Sequence, residues 1–131
     1  MPYAAGRCTD KGDVLSKISY IIESTINHGK VDEFRTKAEG CIEAVEGSEP
    51  DTLGYQWYLS EDGTRCLQQE TFSASEAMLT HLSNFGPSIP ELLAIAPTTR
   101  LEVLGSASAA AVDALAALGA VHFPSMGGFD R

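Results

Sequence analysis

Apolar positions change their period along this chain, and each change marks a boundary between elements. From Ser16 to Ser24 they alternate, with Ile18, Tyr20 and Ile22 on one face and Ile21 on the other. A strand that is apolar on both faces is usually covered on both. After the loop Asn27-His28-Gly29, the residues Val31, Phe34, Ala38, Cys41, Ile42 and Val45 fall on one stripe at helical spacing. This predicts an amphipathic helix that ends at Gly47. Gly40 lies inside it at a cost of about 1 kcal/mol against alanine, and reads as a position of close packing on a sheet.

Alternation returns over Tyr55 to Ser60 and again over Cys66 to Phe72, with Glu61-Asp62-Gly63 between them. Asp-Gly tolerates the positive φ angles of tight turns, so the pair predicts a β-hairpin. Ser73 and Glu76 have the spacing of a capping box, which switches the chain to a helix. Ala74, Ala77, Met78, Leu82 and Phe85 form its apolar stripe, and His81 sits among them. Gly86-Pro87 is expected to stop that helix. Ser88 and Glu91 then have the spacing to cap a short turn through Leu92, Leu93 and Ile95, closed by Pro97. Thr98 to Leu104 reads as a fourth strand. Ser106 or Ser108 caps an alanine-rich helix carrying Val112, Leu115 and Leu118, and Gly119 ends it. The apolar, glycine-rich tail from Val121 to Arg131 is expected to lie over a surface.

The order of elements is βαββαβ with an extra C-terminal helix, which is the ferredoxin-like α+β arrangement. Residues 16–131 form one domain, and residues 1–15, which show no period, read as a loose leader. Two helices cover only one face of a four-stranded sheet. The two-faced first strand therefore asks for a second cover, and a homodimer closed sheet to sheet supplies it.

The formal net charge of -9 over 131 residues removes nucleic acid and anionic membrane surfaces from the expected partners. No apolar run approaches the roughly 20 residues that span a bilayer. Met1 to Asp13 is mostly small and polar, unlike a secretory signal. Cys8, Cys41 and Cys66 are odd in number and widely spaced, which implies no disulfide framework. A reduced, cytoplasmic protein is the expectation. Fingerprints for nucleotides, catalytic serines and redox cysteine pairs are missing, and His28, His81 and His122 are far apart in sequence. No flavin, nucleotide or metal cofactor is expected.

The candidate chemistry centres on His81. An inward imidazole is either satisfied by its neighbours or serves as a base or hydrogen-bond donor in a pocket. Glu70 shares a strand face with Cys66, Gln68 and Phe72, and a buried carboxylate needs a partner. It either orients His81 or forms an ion pair with Arg65 or Arg100. Tyr20, Trp57, Gln68 and Met78 are the candidate substrate contacts. The Trp57 face, shared with Tyr55 and Leu59, is of a kind that is more often core or dimer interface than a substrate platform. Phe123, Met126 and Phe129 read as packing.

The runs Ser48-Glu-Pro-Asp-Thr-Leu-Gly-Tyr-Gln-Trp-Tyr-Leu-Ser60 and Glu70-Thr-Phe-Ser-Ala-Ser-Glu-Ala-Met-Leu-Thr-His81 resemble the antibiotic biosynthesis monooxygenase superfamily, including its quinol monooxygenase-like members. Asp51 stands where glycine is common in that loop. The resemblance implies a dimeric α+β barrel, a cavity between sheet and helices, and oxidation of phenolic or quinol-type small molecules without a cofactor. It also implies His81 as base or orienter, with Glu70 behind it. Members without a known reaction keep a second class open, a non-catalytic small-ligand-binding or dimerisation module. The haem-degrading branch needs an asparagine on the first strand and a tryptophan before the second helix. Tyr20 or Ile22, and Phe72, stand there instead. The purified protein is expected to be colourless and metal-poor, and a stoichiometric flavin spectrum or transition metal by mass spectrometry would contradict this.

Overall fold

The computed structural model describes residues 17–131, so the leader expected over residues 1–15 lies outside the described residues. The two-faced run becomes β1 (Ile18–Thr25), followed by α1 (Val31–Ser48) and the hairpin of β2 (Thr52–Leu59) and β3 (Arg65–Phe72). Next come α2 (Ser75–Phe85), a 3₁₀ turn (Gly86–Ser88) and α3 (Ile89–Ile95). The chain closes with β4 (Thr98–Leu104), α4 (Ala109–Ala116) and β5 (Val121–Phe123). The sheet order is β2-β3-β1-β4-β5. The first four strands pair antiparallel, which is the ferredoxin-like order, and β5 pairs parallel to β4.

All the helices pack on one face of the sheet, and their stripes divide the core in two. Under α2 and α4 lie Ile18, Tyr20, Phe72, Met78, Leu101, Val103, Ala111 and Leu115. Under α1 and α3 lie Ile26, Phe34, Ala38, Cys66, Leu92, Ile95 and Ala96. The strands alternate as the pattern requires, most clearly in β3, where Cys66, Gln68, Glu70 and Phe72 are buried while Arg65, Leu67 and Gln69 are exposed. Among the described residues, no helix covers the opposite face of the sheet. Tyr58 and Leu67 stand exposed there, and Glu23 pairs with Arg65 and Arg100. Both arginines are thereby taken by Glu23, so neither serves Glu70. No helix among the described residues is long and apolar enough to cross a membrane.

Several local expectations are corrected. The N-cap of α2 is Ala74 and it makes no side-chain cap bond. The Ser73 N–H is held by the Asp51 carbonyl at 3.0 Å, which extends the strand pairing and starts the helix one residue late. Ser75 Oγ accepts instead from the Ser108 N–H at 2.9 Å, tying α2 to the start of α4. Gly86-Pro87 does not stop the chain. Gly86 is itself helical, and Pro87 falls in the first turn of the next segment, where its missing N–H costs nothing. Ser88 makes no cap bond, whereas Ser108 caps α4 by accepting from the Ala111 N–H at 3.2 Å. The start of the tail is a strand rather than a surface cover. Val121, His122 and Phe123 pair with Glu102, Val103 and Leu104, using α4 as the crossover. Gly105, at the turn out of β4, has φ +115°, and a Cβ there would lie 3.2 Å from the Lys17 carbonyl oxygen. No other residue type fits that turn without strain.

A Cβ added at Gly40 would meet no atom within 4 Å beyond its own stretch of helix, among the described residues. The close packing expected of it is absent. Gly40→Ala should therefore stabilise the fold by about 0.5–1 kcal/mol, read as a higher urea midpoint with an unchanged slope.

Candidate active site

Cross-strand register builds the floor of the site in rows. Glu70 on β3 lies directly opposite Tyr20 on β1 and Tyr55 on β2, and Tyr20 in turn faces Val103 on β4. One step along, Gln68 lies between Ile22 and Trp57, with Leu101 beyond. Directly opposed side chains on one face of a sheet touch, so each row is a contact set. A cavity of about 420 Å³ lies above these rows, at the seam of the two core clusters. That volume suits a small organic ligand. Tyr20, Ile22, Trp57, Gln68 and Glu70 line its floor, and Phe34, Leu82, Phe85, Leu92 and Leu115 belong to its walls.

From Glu70 on the floor inward, three ionisable side chains stand in a line. His81 projects from α2 between Glu49, which ends α1, and Glu70. Its Nδ1 lies 2.9 Å from Glu49 Oε1, and its Nε2 lies 3.2 Å from Glu70 Oε1. The contact with Glu49 is an aligned hydrogen bond. The contact with Glu70 is close but misaligned, and neither Nε2 nor that oxygen makes a hydrogen bond. The ring is fully buried, and the two side chains that flank it are almost so. Aromatic rings close around it: Phe85, one turn later on α2, stacks at 5.4 Å, with Tyr55 at 5.4 Å and Phe72 at 5.5 Å.

Glu49 is anchored from several sides. Thr52 Oγ1 donates to its Oε1 at 2.9 Å, and Asn84 Nδ2 donates to its Oε2 at 3.1 Å. Burial alone would raise its pKa, but the bonds from Asn84, Thr52 and His81 outweigh it and hold the carboxyl below its ordinary value. Burial likewise pulls His81 down, and the two carboxylates outweigh that, so the imidazole is held above its ordinary value. The cluster favours an imidazolium between carboxylates. Tyr20 is pushed the other way: burial first, then the hydrogen bond and charge of Glu70, raise its hydroxyl well above the usual range. It stays protonated and stands as a donor opposite Glu70 across the strand pair. Tyr55 is also raised, by burial and then by Glu70; the Trp57 indole beside it eases the shift, but the Tyr55 Oη and Trp57 Nε1 are not aligned as a hydrogen bond.

The geometry therefore brings His81 and Glu70 together and reverses their expected order. Glu70 reaches the cavity and His81 stands behind it, because the ring points down into the sheet between the two carboxylates. Tyr20, Trp57 and Gln68 line the cavity as expected of contacts. Met78 does not: it is wholly buried in the core under α2 and α4, because it lies one turn before His81, above Ile18 and Phe72. Glu49, Asn84 and Phe85 are parts of the site that sequence reading left without a role. Phe85 shares the His81 stripe, and that spacing was the available signal. Glu49 shows no periodic signal, since its partner lies 32 residues away. The two ring nitrogens point to opposite carboxylates, and no metal-binding group of His, Cys, Asp and Glu forms among the described residues.

No protein-family model and no curated protein sequence matches the chain. Solved structures do. MupZ from Pseudomonas fluorescens superposes with a TM-score of 0.75 at 24% identity, covering 88% of this chain and 94% of its own. SnoaB from Streptomyces nogalater, a cofactor-independent oxygenase, gives 0.58 at 14% identity over 71% of this chain and 95% of its own. A Caulobacter crescentus protein assigned to the antibiotic biosynthesis monooxygenases gives 0.63 at 16% identity over 77% of this chain and 99% of its own. At such identities the likeness is one of architecture. Strand order, helix placement and these superpositions agree, and the chain has the fold of the antibiotic biosynthesis monooxygenase superfamily.

Proposed function

We propose that this protein is a cofactor-independent monooxygenase acting on a phenolic or quinol-type small molecule. The supporting observation is the buried line Glu49–His81–Glu70, which ends on an apolar cavity at Glu70. Glu70 serves as the base toward the substrate hydroxyl. His81 is a positioning residue that holds Glu70, and Glu49 holds His81. Deprotonation gives an electron-rich anion, which passes one electron to O₂ inside a site that excludes bulk water. The resulting radical pair combines, and loss of water leaves a quinone. One oxygen atom enters the product and the other leaves as water, with all electrons supplied by the substrate.

The open sheet face suits a homodimer closed face to face, with Ile21, Tyr58 and Leu67 at the contact. Sedimentation at micromolar concentration should give the dimer mass, and a monomer would remove this assembly.

A second reading is a non-catalytic ligand-binding module, and it is favoured by one fact: neither His81 nitrogen faces the cavity. Oxygen uptake with a panel of hydroquinones and polyphenols decides between the two. On a substrate so found, Glu70→Gln should lower turnover by about 10²-fold or more while leaving the fold intact. A ligand-binding module predicts no uptake with any compound, and binding that survives.

The cluster also sets a pH window. A His81 pKa raised above 6.5 contributes stability that is complete below that value and is lost as pH climbs through the raised one. A Glu49 pKa lowered below 4.5 contributes stability that is complete above that value and is lost as pH falls through the lowered one. Both contributions are full between pH 4.5 and 6.5. Urea denaturation should show the wild type losing stability above that window, and His81→Gln should flatten the alkaline loss.

A further inference from the structure

A second, smaller space adjoins the cavity. It measures about 140 Å³ and lies between α1 and the β2–β3 hairpin, at the edge of the sheet that β2 forms among the described residues. Ala38, Ile42, Leu59 and Cys66 make its inner walls, and the exposed residues Arg35, Glu39 and Tyr58 make its rim. Phe34 and Trp57 line this pocket and the larger cavity alike, so the pair is the partition between them. Their ring centroids are 5.8 Å apart, and Trp57 is backed on its other side by Tyr55. The cavity has its own opening between α3 and α4, where Leu93 and Leu118 of its lining are half exposed. The inner walls of the pocket offer hydrocarbon, aromatic rings and a thiol. Water there gives up hydrogen bonds and regains none, whereas small apolar molecules settle in such spaces. Burial pushes the Cys66 thiol up to about 11, so it stays protonated and reacts poorly with an oxidant.

We propose that this side pocket is a dioxygen site, from which O₂ passes to the cavity past Phe34. This rests on the reading of the protein as an oxygenase and supplies the route of its second substrate. A seated aromatic molecule fills the cavity and blocks the opening between α3 and α4. The anion that reacts with O₂ forms only once that molecule is seated on Glu70, so O₂ arriving afterwards needs an entrance that the organic substrate leaves free. The pocket is one, because at about 140 Å³ against about 420 Å³ it is too small for a ligand that fills the cavity. Phe34 is the movable half of the partition, since Trp57 is packed between it and Tyr55. No bond forms or breaks in the pocket. The electron passes from the substrate anion to O₂ in the cavity, and the radical pair combines there.

Dissolved O₂ is itself the probe, because its unpaired electrons speed the relaxation of nearby nuclei. Methyl NMR spectra of the full chain are compared under argon and under O₂ pressure. The methyl groups of Ala38 and Ile42 should show an oxygen-induced enhancement several times that of Ala111 and Val103, which are buried in the other cluster. Ala38→Leu fills the pocket from within and Ile42→Trp fills it from the half-buried wall, and each should remove the excess. Melting temperatures show which variants fold, and calorimetry with 4-phenylphenol should give them the wild-type affinity. On a substrate found by oxygen uptake, the folded variants should lower kcat/KM for O₂ by about tenfold and leave KM for the organic substrate unchanged at saturating O₂. A wild type without excess relaxation at Ala38 and Ile42, or a kcat/KM for O₂ that survives filling of the pocket, would overturn the proposal. If the pocket loads with O₂ but no phenol or hydroquinone supports uptake, the oxygenase reading and the route fall together and the gas-binding pocket alone stands.

Discussion

Placing an imidazole between two carboxylates inside a small α+β domain constrains everything around it. Each ion costs several kcal/mol to take out of water, and only close pairing with further hydrogen bonds returns it. The chain meets this by spreading the donors over separate elements. Thr52 opens β2, Asn84 lies on α2, and Tyr20 reaches from β1. The register of β3 with both neighbours is fixed as a result, since a slip of one residue would turn Glu70 out to solvent and bring Gln69 or Thr71 inward. Loss of His81 alone would leave two buried carboxylates facing each other across the gap. The line of charge is thus a structural commitment before it is a chemical one.

That commitment also shapes the cavity. Helices α2 and α4 cover one half of the sheet, and α1 and α3 cover the other, each with its own apolar cluster. Aromatic rings packed about His81 fill the space behind Glu70, and among the described residues the seam in front of it stays open as the cavity. Phe85 serves both sides, stacking on the imidazole while lining the cavity. Side chains held this tightly are preorganised, which is what electrostatic catalysis requires. The rings also keep water from the charged line, so its field acts on whatever occupies the cavity rather than being screened.

The periodic parts of this architecture were legible in the chain. Strand β4 over Thr98–Leu104 and the stripe of α1 follow from spacing alone, and so do the shared face of Gln68 and Glu70 and the inward turn of His81. What escaped were features with no local signal. Glu49 is a charged residue beside a proline, and only the return of α2 brings His81 to it. Met78 shares the His81 stripe, yet the stripe spans a wider arc than the cavity does, so membership did not imply contact. Strand β5 has only Val121, His122 and Phe123, too few to show alternation, and its parallel pairing depends on where α4 delivers it. Gly86-Pro87 reads as a stop in sequence, but proline in a first turn is as compatible with starting a helix as with ending one.

Cross-strand rows divide the cavity floor into parts of different chemistry. Positions two apart on β3 occupy successive rows, each with its own pair of cross-strand neighbours. The row of Glu70 carries the charge and is bound into the line with His81, so only a replacement of the same shape keeps that line packed. The row of Gln68 carries no such tie: among the described residues its amide and the Trp57 indole make no hydrogen bonds. Trp57 in that row is held by its rings against Phe34 and Tyr55, whereas a change at Gln68 breaks no hydrogen bond among the described residues. Glu70 and Gln68 are thereby separated by one step of the strand face, the first tied into the charged line and the second outside it.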